Sequence, residues 1–182
     1  MPVQGLHLIT PSAAVATGTG SSATINSQGS VSFSAITGLE LRGIFSADYD
    51  NYKIVCRLTQ ASSNSTFTGQ MVSGSTVASA ADYSYQTLTA NNTSVSGASQ
   101  GPLASFGIQD VLQNPQGFVM FVYEPYVATQ TTGRALGMYR FNTISSYESA
   151  WRHSLATSYD GMKFSNAAGS TSGRISVYGM RK

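Results

Sequence analysis

The sequence predicts an all-β chain built as an antiparallel β-sandwich, of the jelly-roll type. Three observations carry this expectation. Apolar side chains recur with period two in the runs that follow residue 31. Turn formers such as "SSNS", "NNTS", "NPQG" and "SNAAGSTSG" separate those runs. No 3.6-residue pattern reaches helical length. About eight to ten short strands are expected, with no repeat period that would suggest a solenoid or propeller.

Residues 1–30 are rich in Gly, Ser, Thr and Ala and poor in aromatics. They read as an N-terminal arm or linker that docks on a neighbour through Val3, Leu6, Leu8 and Ile9, or as a frayed terminus. The body, residues 31–182, is expected to be a single domain. In "VSFSAI" Val31, Phe33 and Ala35 share one face. In "YKIVCRLT" Tyr52, Ile54, Cys56 and Leu58 point inward while Lys53 and Arg57 point outward. "YSYQTLT", residues 83–89, is strand-like but polar, which suits an edge or a place beneath a loop. The window Ile108–Leu112 is the best helical candidate, but Gly107 and Pro115 leave it little room. "GFVMFVYE", residues 117–124, is apolar on both faces, so it is either covered on both sides or part of a subunit contact. Phe118, Met120, Phe121, Tyr123 and, further on, Trp151 are therefore the interface candidates. "RALGMYRFNT", "YESAWRHSLAT", "DGMKFS" and "GRISVYG" complete the strand candidates, with Ile175 and Val177 opposite Ser176 and Tyr178 in the last.

Charge is scarce. Lys, Arg, Asp and Glu make up 10% of the chain, while 28 Ser and 18 Thr fill the vacancy. Hydroxyl-rich, weakly charged surfaces repel one another little, which suits close packing in an assembly. Ten Tyr and eight Phe argue against disorder. Seven of the ten bases fall in residues 134–182, yet they form no dense cluster, so nucleic-acid binding is not expected. No apolar run approaches the ~18 residues of a membrane span, and no signal-peptide pattern opens the sequence. Membrane insertion is not expected, and lysis, as part of a particle, is the expected route for a protein that reaches the exterior without such a signal.

The chemical inventory is thin. Cys56 is the only cysteine and reads as a small buried hydrophobe, with a reactive thiol or an intersubunit bridge as alternatives. His153 shares a strand face with Trp151 and Leu155 and reads as a packed histidine; a general base would need an orienting acid. One Cys and two distant His residues do not make a zinc site. Asp48, Asp50 and Asn51 offer oxygen ligands of the kind Ca²⁺ takes, or else an Asx turn bonded to its own backbone. No nucleophile elbow and no phosphate-binding glycine loop occur. No catalytic residue, cofactor or metal is assigned. The spread tyrosines suit cores, wet interfaces and sugar-stacking surfaces alike.

At Phe45–Leu58 the chain resembles a group of small tailed-phage structural proteins. The first shared feature is carried by Phe45, Ser46, Tyr49, Asp50, Asn51, Tyr52 and Ile54. A mid-chain aromatic strand then ends in a turn, here Tyr123-Glu124-Pro125, with Glu where the pattern usually has Asn. The last feature is Tyr159, Asp160 and Gly161, followed by Gly173, Ile175, Val177, Tyr178 and Gly179. The resemblance runs over roughly residues 30–180 and implies jelly-roll-like domains of fibres, appendages and capsid decorations. It implies a virion location, contact with other virion proteins and a homo-oligomer, a trimer, and it offers no catalytic residue to carry over. A non-enzymatic structural component is thus the expected function, and an adhesion module that binds a receptor or a host-surface glycan is the alternative.

Overall fold

The computed structural model describes residues 5–111, 113–141 and 143–181. Val3 of the expected arm and Leu112 of the weak helical window lie outside the described residues. The first strands are β1 (Leu6–Ile9), β2 (Ala13–Thr17), β3 (Ser22–Ile25), β4 (Val31–Ile36) and β5 (Gly38–Arg42). Then come β6 (Tyr49–Ala61), β7 (Ser65–Ser73), β8 (Thr76–Val77), β9 (Tyr83–Asn91), β10 (Ser94–Leu103) and β11 (Phe106–Val111). The chain closes with β12 (Gln116–Tyr123), β13 (Gln130–Phe141), β14 (Thr143–Ala156), β15 (Gly161–Asn166) and β16 (Thr171–Arg181).

All the pairings are antiparallel. The large sheet runs β10-β9-β14-β13-β12-β6-β16-β4-β3, with β1 continuing beside β16; the small sheet runs β11-β7-β15-β5-β2, with β8 on β7. Eight strands make the frame. Along the chain they are β4, β5, β6, β7, β11, β12, β15 and β16, and they pair from the outside in. β4 pairs with β16, β5 with β15, β6 with β12 and β7 with β11. An antiparallel ribbon paired in this order and wrapped into two sheets is a jelly roll. Two insertions widen one side only: β8–β10 between β7 and β11, and β13–β14 between β12 and β15. The large sheet consequently overhangs the small one beyond β11.

The alternation of β6 is realised: Tyr52, Ile54, Cys56 and Leu58 are buried between the sheets. So are Ile175 and Val177 of β16. Across the gap Phe67 of β7 meets Phe118 of β12 at 6.0 Å and stacks on Phe164 of β15. Period two fails at Ala35, which adopts φ of 51°. There the Ala35 N–H donates to Ser172 Oγ at 3.0 Å and Ile36 becomes the buried residue. The weak helical window is strand β11, whose Phe106, Ile108 and Val111 are buried.

Residues 6–25, expected as an arm, instead complete both sheets. Leu6 to Ile9 pair with Met180 to Val177 of β16, β2 pairs with β5, and β3 pairs with β4. Their inward side chains, among them Ile9, Ala14, Ala16, Ala23 and Ile25, pack against the core. Small residues suffice here because the ladder hydrogen bonds hold these strands.

Candidate functional site

The end motifs of the sequence come together in space. β6 and β16 are neighbours, with Tyr52 opposite Gly179 and Tyr49 opposite Arg181. The Tyr49 ring lies over Gly179 so closely that a Cβ there would sit 2.5 Å from its Cγ. Tyr52 is the tie at this end. Its hydroxyl accepts from Ser46 N–H at 2.7 Å and donates to Ser46 O at 2.8 Å, and its ring meets Phe45 edge-on at 4.7 Å. Asp50 and Asn51 lie within β6, and Ser46 and Asp48 tie the preceding turn: Asp48 N–H donates to Ser46 Oγ at 3.3 Å. The second motif clamps two loops. Asp160 O accepts from Ile44 N–H and Phe45 N–H, and its Oδ1 accepts from Gly74 N–H at 2.8 Å. Gly161 begins β15, and Tyr178 points to the outer face of the large sheet, half-buried.

The interface candidates separate by parity along the strand. Phe118 and Met120 face inward and are spent on the core, as is Trp151, which stacks on Phe106 at 3.9 Å. They are corrected from interface to core. Phe121 and Tyr123 face outward. Around them, the registers β12–β6 and β12–β13 align Val55, Val119 and Leu136 in one row across three strands, with Met138 and Gly117 in the next. Met138 is 61% exposed, and Val55, Val119, Leu136 and Met138 line one shallow apolar depression. Arg134 and Glu148 pair on the same face at 2.8 Å, so part of its charge is neutralised in place. Lys53 and Arg57 flank the row. Sequence reasoning did not single out Val55, Leu136 and Met138. The signal was present, since each is an apolar residue in a slot that alternation assigns to solvent.

The reactive side chains lie deep. Cys56 is 2% exposed, and burial pushes its thiol well above the ordinary range, which suppresses the thiolate. His153 is 1% exposed, packs on Tyr83 at 4.5 Å and shares a 3.2 Å hydrogen bond between Nδ1 and the Tyr159 hydroxyl. Burial holds its pKa below the usual 6.5, against the raising effect of the Asp82 charge. Leu155, expected beside it, is exposed because the β13–β14 register shifts between Gln130 and Thr132. Among the described residues no three His, Cys, Asp or Glu side chains gather to hold a metal ion, and no helix is long and apolar enough to cross a membrane.

No protein-family model matches this sequence. No curated protein matches it either. Among solved structures, the chain is similar to a protein of unknown function from Shewanella oneidensis MR-1, at 10% identity and a TM-score of 0.28. That alignment covers 97% of this chain and 79% of the other. A likeness this distant bears on neither site nor function.

Proposed function

We propose that the chain is a non-enzymatic structural component of a tailed-phage virion, a capsid decoration or a tail or fibre subunit, that works as a homotrimer. The observation that carries this reading is the uncovered apolar row Val55–Val119–Leu136 with Met138 beside it. The row crosses the centre of the large sheet, where a solitary sandwich would carry polar residues. Further copies of the same chain are the occupants: a chain with 10% charged residues meets its own kind with little repulsion. The core positions of Cys56 and His153 favour a structural role over a catalytic one. The virion location rests on the resemblance, whose two end motifs form one continuous part of the sandwich.

Quantitative mass spectrometry of purified phage particles tests the placement. The chain is expected at a fixed copy number per particle. Its presence in the lysate but not in the particles would overturn the proposal.

A further inference from the structure

The inserted hairpin β9–β10 projects past the small sheet, and its inner face changes character along the way. Tyr83 is buried in the core and Tyr85 is half-buried against Gly107 of β11, whereas Thr87 and Thr89 follow on the same face further along the overhang. From β10, Ser96, Ala98 and Gln100 stand opposite Thr89, Thr87 and Tyr85. The far wall is β11, which among the described residues pairs on one side only, with β7. Together they enclose a cleft of about 300 Å³ that also reaches Thr66, Asp110 and Tyr147.

This lining is neither that of a core awaiting a cover nor that of an ordinary exposed edge. In place of the apolar alternation of the buried strands, this face offers hydroxyls and an amide beside the Tyr85 ring. Among the described residues Asp110 is the sole charge in the cleft, and it is half-buried. Its carboxylate accepts one hydrogen bond given by the structure, from Thr66 Oγ1 at 3.3 Å. Burial raises its pKa, with that hydrogen bond opposing. The same carboxylate raises the pKa of Tyr85, after burial of the Tyr85 ring itself. A half-buried carboxylate with spare acceptor capacity takes hydrogen-bond donors, and among the described residues no cation lines the cleft to favour an anion.

We propose that this cleft is a binding site for a neutral saccharide. Sugar hydroxyls donate to Asp110 and exchange hydrogen bonds with Thr66, Thr87 and Gln100, while an apolar sugar face lies against Tyr85. The volume fits one or two sugar units. The inference goes beyond the assembly reading and does not depend on it, because the cleft lies within one chain.

The test is saturation-transfer difference NMR on the purified full-length chain. The probes are glucose, galactose, N-acetylglucosamine and their 1,4-linked dimers to tetramers. At least one probe is expected to bind saturably, with a Kd on the order of 1 mM. Asp110→Ala and Tyr85→Ala should each weaken that binding roughly ten-fold, with melting curves confirming that both variants fold. Thr24→Ala, on β3 at the other edge of the large sheet, should leave it unchanged. No binding up to about 20 mM would overturn the proposal, as would binding that survives both cleft substitutions. Preference for a sialylated probe that strengthens in Asp110→Asn would overturn it too, as would capture of an extended peptide along β11 that Tyr85→Ala leaves intact.

Discussion

Gly133 and Trp151 are direct cross-strand partners, and the indole occupies the space that a side chain on Gly133 would need. A Cβ on Gly133 would sit 2.3 Å from Trp151 Cζ2 and 2.7 Å from the Phe121 carbonyl oxygen. The indole is thereby pressed onto Phe106 of the small sheet, with the rings 11° from parallel. This stack joins the inserted strands β13–β14 to the jelly-roll frame.

Gly133→Ala is therefore expected to destabilise the fold by about 1–3 kcal/mol, since the backbone oxygen cannot move aside as a side chain can. Trp151 is the only tryptophan, so its fluorescence reports the change directly. Urea unfolding should show a lower midpoint together with red-shifted native emission.

Glu124 adopts φ of 51° in the turn that follows β12. That conformation suits Asn better than Glu. Glu124→Asn should stabilise the protein by about 0.5–1 kcal/mol, seen as a higher urea midpoint with an unchanged slope.

His153 is held neutral by burial, with its folded pKa below 6.5. Above that value neither state binds the proton and the contribution to stability is complete. As pH falls below about 6.5 the unfolded chain takes up a proton that the folded chain resists, so stability declines until the folded pKa is passed. Asp82 opposes the effect, and Tyr83 and Tyr159 pack around the ring. The loss of stability between about pH 7.5 and pH 5 should be smaller in His153→Gln than in the native chain. Equal slopes in the two proteins would refute the assignment.

The sandwich was legible wherever side chains alternate strictly. Tyr52, Ile54, Cys56 and Leu58 announce β6, and Ile175 and Val177 announce β16, because burial on one face demands period two. β10 was not legible. Its sequence, "SVSGASQGPL", is exposed almost throughout and is held by its ladder to β9. The strands of residues 6–25 were hidden for a related reason: Ala14, Ala16 and Ala23 are too small to stand out, yet they fit against a core built by other strands. In β12 the doubly apolar pattern was visible but its parity was not. Assigning Phe118 and Met120 to the core and Phe121 and Tyr123 to the outside required the partner strands. The saccharide cleft had the faintest trace, because it joins Asp110 to Tyr85 only through the overhang that two separate insertions create.

The central claim is that the apolar row on the large sheet packs against further copies of the chain. Light scattering coupled to size exclusion, on the native protein and on Val119→Asp at about 50 µM, tests it most directly. The account predicts three times the chain mass for the native protein, and a single chain mass for Val119→Asp with the β-sheet circular dichroism retained. A native protein that elutes as a monomer, or a Val119→Asp variant that stays assembled, would contradict it.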